Sequence, residues 1–434
     1  MNITRYSFFL LTALSLTQAT AAAPPLIVEV DAGIHDRANS PVNITLPAEY
    51  QKTPGFELTR LDDKVMIPVQ RTPHRLNVRL FWILQKPLAA GQVRRYRLQP
   101  LKQTAPTPAP QVTCELKDKQ LVVKVGSSPV LQYNHATLEA PASLDAKYRR
   151  SGHIHPIYNP AGKSLTDDFP PDHAHQHGLF FPWVRTTHGE HEVDFWNQMG
   201  ETGHIEHTKF VNKGISGNVF GQFSVQLTHR DITSKEQPVD VLRETRVIRV
   251  FNLRDYFLFD VESYQNCVSE NPLLIQQYHY GGLAIRGNRQ WFKEDTATRV
   301  REFLKTKPAA DQVASFPVPR DYLTSEGKTW ANGNQTRARW VEMHGKIDGE
   351  PAGITLMCHP NNFRAPQPVR LHPHKPYFCF APMQLGDFEI TPGRTFASRY
   401  RFYAHNGPVN ATTSERLWKD YAEPARVRIV AVGR

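Results

Sequence analysis

Histidines are concentrated in one short part of the chain. The sequence contains 19 histidines, and five of them lie within residues 153–177. Imidazole is the side chain that titrates closest to neutral pH, and it is also the commonest metal ligand in proteins. This segment therefore predicts either proton-transfer chemistry or a metal site.

The spacing of three of these histidines allows a metal site. On a strand His173, His175 and His177 would share one face, with neighbours about 6–7 Å apart. Two of them could bind one transition metal, with a further histidine or carboxylate completing the site. Two prolines before them and Gly178 after them favour a loop instead, with imidazoles bonded to backbone and carboxylate groups. Both alternatives stay open on the sequence alone.

The predicted catalytic residues come from three separate segments. His177 precedes a glycine and an apolar run, which places it where a loop meets a sheet. His279 stands between two tyrosines and is followed by two glycines, and Glu326 lies in a short polar segment. We predict His177, His279 and Glu326 as acid–base residues. The alternatives are a buried structural role for His279 and a turn-stabilising ion pair for Glu326.

Aromatic and planar polar side chains accompany these histidines. Aromatic rings stack on the C–H faces of sugars, and guanidinium, amide and carboxylate groups bond to sugar hydroxyls. The alternative for the tryptophans is ordinary core packing. The predicted substrate-binding residues are Arg150, Trp183, Asp194, Trp196, Asn197, Tyr280, Arg286 and Arg364.

Strand patterns predict an all-β protein that would position these residues. Residues 24–101 read as a small β-sandwich domain, and residues 102–110 as a stiff proline-rich linker. Residues 111–434 are strand-rich and predict a large antiparallel β-sandwich of supersandwich type, carrying the site. Short helices are expected at 297–304 and 414–421.

Composition excludes several classes of protein. Hydrophobic residues make up 40% and charged residues 21%, which excludes a disordered chain. The net charge is +11, but the basic residues are scattered along the chain instead of forming a concentrated stripe. We therefore expect no nucleic-acid partner. After residue 30 no apolar run reaches the length of a membrane span, so none is expected.

The first 23 residues resemble a secretory signal peptide. Arg5 precedes a short apolar core, and small residues at positions 19 and 21 form a cleavage site. We therefore expect an exported protein, periplasmic or secreted. The four cysteines are expected to be buried apolar residues with at most one disulfide; they are Cys114, Cys267, Cys358 and Cys379.

Several motifs resemble those of a known bacterial family of unknown function, whose members carry the label methane oxygenase PmoA. The resemblance spans roughly residues 145–425. It implies membership of a family often exported by polysaccharide-degrading bacteria. The motifs are HQHGLFF at 175–181, DFWN at 194–197, YHYGG at 278–282, TSEGK at 324–328, CHP at 358–360 and APQ at 365–367.

A weaker resemblance is to aldose mutarotases and related supersandwich carbohydrate enzymes. Those proteins carry a His-Gly pair, a later histidine and a carboxylate, and His177, His279 and Glu326 occur here in that order. Arg150 is similar to an arginine that precedes the first histidine. The resemblance implies a large β-sandwich fold with a sugar pocket.

Three functions follow as hypotheses. The first is a carbohydrate-active enzyme of epimerase, lyase or hydrolase type, in which a histidine donates a proton while Glu326 removes one. The second is a non-catalytic glycan-binding protein, and the third a metal-dependent oxidase or lyase using His173, His175 and His177. The expected ligand is a sugar or oligosaccharide, and the net charge favours an acidic one. No cofactor is expected, except a divalent metal under the third hypothesis.

Overall fold

The computed structural model describes residues 23–74, 77–103 and 109–430. Residues 1–22 of the predicted signal peptide and residues 104–108 of the predicted linker lie outside these ranges. Strands account for 47% of the structure and helices for 11%, with large antiparallel sheets. The all-β prediction is therefore confirmed.

The first part of the described chain consists of short strands. They are β1 (Leu26–Asp31), β2 (Ser40–Thr45), β3 (Gly55–Arg60), β4 (Met66–Ile67), β5 (Gln70–His74), β6 (Asn77–Leu84) and β7 (Val93–Leu101).

The remaining strands run from residue 112 to residue 430. They are β8 (Val112–Leu116), β9 (Gln120–Val125), β10 (Ser128–Asn134), β11 (His153–Ile157), β12 (Leu179–Phe180), β13 (Thr186–His188), β14 (His191–Val193), β15 (Gly203–Ile215), β16 (Phe220–Asp231), β17 (Val239–Phe251), β18 (Phe257–Cys267), β19 (Leu273–Ile275), β20 (Leu283–Arg286), β21 (Arg320–Thr324), β22 (Trp340–Ile347), β23 (Glu350–Cys358), β24 (Val369–Leu371), β25 (Tyr377–Phe380), β26 (Phe388–Ile390), β27 (Phe396–Asn406) and β28 (Arg426–Val430).

Helices are short and lie near the surface. The described residues form α1 (Glu294–Lys305), α2 (Ala310–Ser315) and α3 (Ala411–Ala422). The two helices predicted from the sequence, at 297–304 and 414–421, lie within α1 and α3. Single 3₁₀ turns occupy Ala48–Tyr50, Ala146–Tyr148, Arg289–Trp291 and Pro382–Leu385. None of the helices in the described ranges is long and apolar enough to cross a membrane.

The small N-terminal unit is a sandwich of a five-stranded and a three-stranded sheet. The strand orders are β28-β1-β7-β3-β4 and β2-β6-β5. Buried Val28, Leu58 and Trp82 form its core. The last strand of the described residues pairs with the first, with Ile429 opposite Val28. The division at residues 102–110 stays a prediction, but the five-stranded sheet also includes a strand from beyond that division.

The large unit packs two eight-stranded sheets against each other. Their orders are β24-β25-β20-β12-β11-β10-β9-β8 and β15-β16-β17-β18-β27-β23-β22-β21. A single apolar core contains Val123 and Ile154 of the first sheet together with Phe223 and Ile248 of the second. A smaller sheet, β14-β13-β19-β26, lies beside them. This arrangement is the expected large antiparallel sandwich.

The outer face of the second large sheet is covered by the small unit and by α3. Phe81 of β6 belongs to the same buried cluster as Phe220, Leu258 and Leu417. On β18, Phe257 and Phe259 face the main core while Leu258 faces this junction. Both faces of β18 are buried, which explains why the strand carries apolar residues on both faces.

The cysteines behave as small apolar residues. All four are free thiols, and Cys267, Cys358 and Cys379 are buried. Burial raises the pKa of the Cys358 and Cys379 thiols to about 12, so both stay protonated at neutral pH.

Candidate functional site

A cavity of about 200 Å³ brings together histidines from three separate segments. We call it the histidine cavity. Six of the residues predicted from the sequence converge on it. It is lined by His173, His175, Gln176, Trp196, Asn197, His279, Tyr280, Arg370, His372 and Tyr377.

Two larger cavities flank the histidine cavity. One of about 470 Å³ shares Asn197 with it and is also lined by Asp194 and Tyr278. The other, of about 410 Å³, shares His279 and is likewise lined by Tyr278. The two larger cavities therefore meet at Tyr278, and each of them shares one residue with the histidine cavity.

Aromatic rings form part of the wall. The Trp196 ring lies 5.2 Å from the Tyr280 ring and 6.1 Å from the Tyr377 ring, measured between centroids. The Tyr280 hydroxyl donates to Asn197 Oδ1 at 3.2 Å. Burial raises the pKa of Tyr280 above its usual range, so this phenol keeps its proton and serves as a donor.

The electrostatic environment keeps several histidines neutral. Burial, followed by the charges of His173 and His177, lowers the pKa of His175 to about 3. Burial and then the charge of Arg370 lower the pKa of His279. Burial also lowers the pKa of His372 well below its usual range. At neutral pH these imidazoles each keep a nitrogen lone pair that can accept a proton.

His173 differs from these histidines, because its contacts fix which ring nitrogen is the hydrogen-bond donor. The Lys375 ammonium donates to its Nδ1 at 2.6 Å. An ammonium group can only donate, so Nδ1 is the acceptor and the ring proton is on Nε2. Lys375 and Arg286 are both anchored on Asp172, at 3.1 and 2.8 Å. The cavity therefore contains a histidine N–H donor as well as imidazole acceptors.

Arg370 brings a positive charge to the cavity wall. Its Nε is buried without a hydrogen-bond partner, and the guanidinium interacts with the Tyr377 hydroxyl. Among the ion pairs of the described residues none involves Arg370. None of the described residues that line the cavity carries a carboxylate. The arrangement suits an anionic ligand group.

Four of the predicted substrate-binding residues do not line the histidine cavity. Arg286 is buried and pairs with Asp172 and Gln176. The Trp183 indole is fully buried and donates to Gln265. The other two donate to backbone carbonyls: Arg150 to Phe195, and Arg364 to Pro382, Gly386 and Asp387. None of these four residues lines any of the three cavities described above, so their direct contact with a substrate stays a prediction.

Asp194 lines a flanking cavity and organises the wall. Its carboxylate accepts hydrogen bonds from the backbone N–H groups of Trp196 and Asn197 at 2.8 and 3.0 Å, and from the Asn197 amide. This turn presents Trp196 and Asn197 to the histidine cavity.

Two of the predicted catalytic residues are not brought together with His279. Glu326 is exposed on the turn after β21, where it interacts with Ser325 and lies 3.6 Å from Arg339. This is the turn role that the sequence left open. His177 is fully buried and does not line the histidine cavity. The predicted pairing of His177 and His279 with Glu326 as their base is therefore corrected.

His177 belongs to a buried group with His153 and Asp168, whose ligand atoms lie within 4.8 Å of one another. His177 Nδ1 lies 2.7 Å from Asp168 Oδ1, and His153 Nε2 lies 3.1 Å from Asp168 Oδ2. These residues could hold a metal ion. The predicted metal ligands His173 and His175 face the histidine cavity instead.

Sequence reasoning missed Arg370, His372 and Tyr377. A signal was present in the run RLHPH at 370–374, where basic residues alternate with apolar ones. Asp168 was also missed, because nothing in its local sequence separates it from the neighbouring Asp167, which pairs with Arg289.

Comparison with solved structures gives distant likenesses. An alpha-mannosidase from Enterococcus faecalis V583 has a TM-score of 0.42 at 11% identity, over 94% of this chain and 46% of that one. A glycosyl hydrolase family 38 protein from Enterococcus faecalis has a TM-score of 0.42 at 10% identity, over 94% of this chain and 47% of that one. The chain thus spans just under half the length of each.

No curated protein matches the sequence. The comparison with family models does give a match, over residues 120–419, which is more than half of the chain. These residues include all the lining residues of the histidine cavity. The protein belongs to the family of unknown function DUF6807.

Proposed function

We propose that this protein is an exported carbohydrate-active enzyme that transfers protons on an acidic sugar held in the histidine cavity. The observation that carries the proposal is the lining of that cavity, which combines neutral imidazoles, aromatic rings and Arg370. Export is supported by the signal-like sequence of residues 1–23.

His279 is the proposed general base. It is exposed at the point shared by two of the cavities, so a ligand can reach it. Its pKa lies below the usual value, mainly through burial, so the ring is neutral at pH 7 and can accept a proton. His173 Nε2–H is the donor available for a leaving oxygen, because the Tyr280 O–H is already donated to Asn197.

The charge of Arg370 indicates the substrate class. A hydrolase of the usual kind needs two carboxylates on either side of the glycosidic bond, whereas none lines this cavity. A cation beside a neutral base suits removal of the proton next to a sugar carboxylate, because the guanidinium stabilises the charge that develops there. We therefore favour a lyase acting on a 4-linked hexuronate.

The proposed reaction is a β-elimination. His279 takes the C5 proton, and the C5–H electron pair forms a C4=C5 double bond. The C4–O bond breaks, and the departing oxygen takes the Nε2 proton of His173 while the Lys375 ammonium gives a proton to His173 Nδ1. Solvent then restores these side chains to their starting protonation states. The sugar face packs on Trp196 while Asn197 and Asp194 bond to hydroxyls.

The test is an assay of the mature chain on polysaccharides that contain hexuronates and on neutral polysaccharides of similar linkage. We expect ultraviolet absorbance from the unsaturated product with the acidic substrates alone. His279→Gln should lower turnover about a hundredfold or more. Arg370→Gln should mainly raise KM for the acidic substrate.

Glu326→Gln is the matched control, because this exposed carboxylate lies on another turn. Its turnover should equal that of the wild type. Exchange of the C5 proton with deuterated solvent in the absence of elimination would indicate an epimerase with the same base. Glycan binding that generates no product and survives His279→Gln would support the binding-protein hypothesis and end the enzymatic one.

A further inference from the structure

The group of His153, Asp168 and His177 stands apart from the proposed reaction. Both histidines are completely buried, and neither lines one of the cavities described above. Among the described residues, the two histidines are the side chains within ion-pair distance of Asp168, and the charges of Arg150 and Arg289 act on it from further away. A buried carboxylate is costly unless a positive charge compensates it.

The proton position on His177 follows from Gln198. The Gln198 Nε2 amide donates to the Lys147 and Arg149 carbonyls at 3.1 and 3.2 Å. Those two acceptors fix the amide orientation, so Gln198 Oε1 faces His177 Nε2 at 3.3 Å. An oxygen accepts, so His177 Nε2 carries the ring proton. The bare Nδ1 then faces Asp168 Oδ1 at 2.7 Å.

The same reasoning applies to His153. Asn134 Nδ2 donates to the His155 carbonyl at 3.0 Å, which fixes that amide, and its second N–H faces His153 Nε2 at 3.2 Å. His153 Nε2 is therefore an acceptor, although it lies 3.1 Å from Asp168 Oδ2. Its buried Nδ1 has no hydrogen-bond partner.

Two imidazole lone pairs and a carboxylate thus point at one another. An added proton can lie between the carboxylate and one imidazole, but the other imidazole would still face an oxygen with its lone pair. A cation that accepts electron pairs from all three groups satisfies them together. Two imidazoles and one carboxylate are ligands typical of Zn²⁺ and similar divalent transition ions.

We propose that His153, Asp168 and His177 bind a divalent transition metal ion that ties β11 to the segment preceding β12. Gln198 and Asn134 orient the two imidazoles from outside the coordination sphere, as partners of ligating histidines commonly do. Because both histidine ligands are completely buried, the ion serves the fold and is acquired when the chain folds.

The experiment measures metal bound to the untagged mature chain, produced in medium supplemented with Zn²⁺, Mn²⁺ or Fe²⁺ and purified without chelator. Mass spectrometry of the elements should find about one equivalent of one of these ions per chain. Asp168→Asn keeps the shape of the side chain but removes its charge, and it should abolish binding. Thermal unfolding should occur at a lower temperature in this variant.

Two controls separate this site from other histidines. Asp231→Asn changes a similar carboxylate, which lies 3.1 Å from His188 and 2.9 Å from His191, and it should keep the metal. His372→Ala, in the histidine cavity, should also keep it. A wild-type chain without stoichiometric metal would overturn the proposal, whether or not Asp168→Asn folds. Loss of metal in His372→Ala and retention in Asp168→Asn would overturn it too.

Discussion

Two tryptophans with similar sequence surroundings have different roles in this protein. Trp183 is enclosed by Phe181, Phe388 and Phe396, with ring centroids 5.3–5.6 Å away. Trp196 is also nearly buried, but its ring forms part of the histidine cavity. The difference depends on which way each ring turns from its loop.

Trp183→Phe should destabilise the fold by about 2 kcal/mol, through lost packing and an unpaired buried Gln265 oxygen. Ligand affinity of the folded fraction should not change. Urea unfolding and glycan-binding measurements check the two parts. Trp196→Ala should also destabilise the fold, because this ring is nearly buried, and it should in addition weaken ligand binding by the folded fraction. Equal loss of affinity in both variants would contradict the roles assigned here.

The sequence predicted part of the site because its polar residues are locally dense. His173, His175 and His279 stand in such clusters, and all three line the cavity. Glu326 does not meet them because it follows β21, in one large sheet, whereas His279 precedes β20, in the other. Sheet membership depends on pairing between distant strands, which local patterns do not encode.

At the scale of elements, α3 shows how a surface helix joins the two units. Asn410 caps its first turn, with Oδ1 accepting from the Thr413 N–H. Leu417 enters the apolar junction, and Asp420 accepts from Arg37 at 3.0 Å and from Ser40 at 2.7 Å. Arg37 and Asp420 are both almost completely buried. The helix therefore anchors the small unit through a buried ion pair.

Asp420→Asn should lower the free energy of unfolding by about 3 kcal/mol, because it leaves the Arg37 charge buried without its partner. Glu423→Gln, which removes an exposed partner of His35, should cost less than about 0.5 kcal/mol. Urea unfolding of both variants checks the contrast. Similar losses in the two variants would show that the buried pair does not hold the units together.

The pairing of β28 with β1 illustrates what patterns leave open at this scale. Each strand is recognisable from its apolar residues, but their partnership joins the two ends of the described chain. Arg428 of β28 donates to Glu29 of β1 at 2.8 Å. Strand identity is a local property, whereas the choice of neighbour is decided by burial and closure of the whole sandwich.

For the whole molecule, half-buried histidines should set the response to acid. Burial, followed by neighbouring cationic residues, lowers the pKa values of His204, His207 and His359 to about 4 in the folded protein. In the unfolded chain the value is near 6.5. Between these pH values the unfolded state binds more protons than the folded state, so stability must fall as the pH falls.

Carboxylates respond in a lower pH range. Burial works to raise the pKa of Glu244, but the charge of Arg246 and the hydrogen bond from His229 lower it below its usual value of 4.5. Its contribution to stability is present above about pH 4.5 and is lost below that. Loss of stability between about pH 6.5 and 4.5 should therefore report mainly on histidines.

The urea midpoint of the protein should decrease steadily from about pH 6.5 to about pH 4.5, as the free energy of unfolding falls by at most about 1.4 kcal/mol per pH unit for each such histidine. Partial exposure of the rings reduces this figure. Replacing His207 by Gln should make the slope shallower, because that position then takes up no proton on unfolding. A midpoint that stays constant across this interval would mean that these rings are solvated in the folded protein.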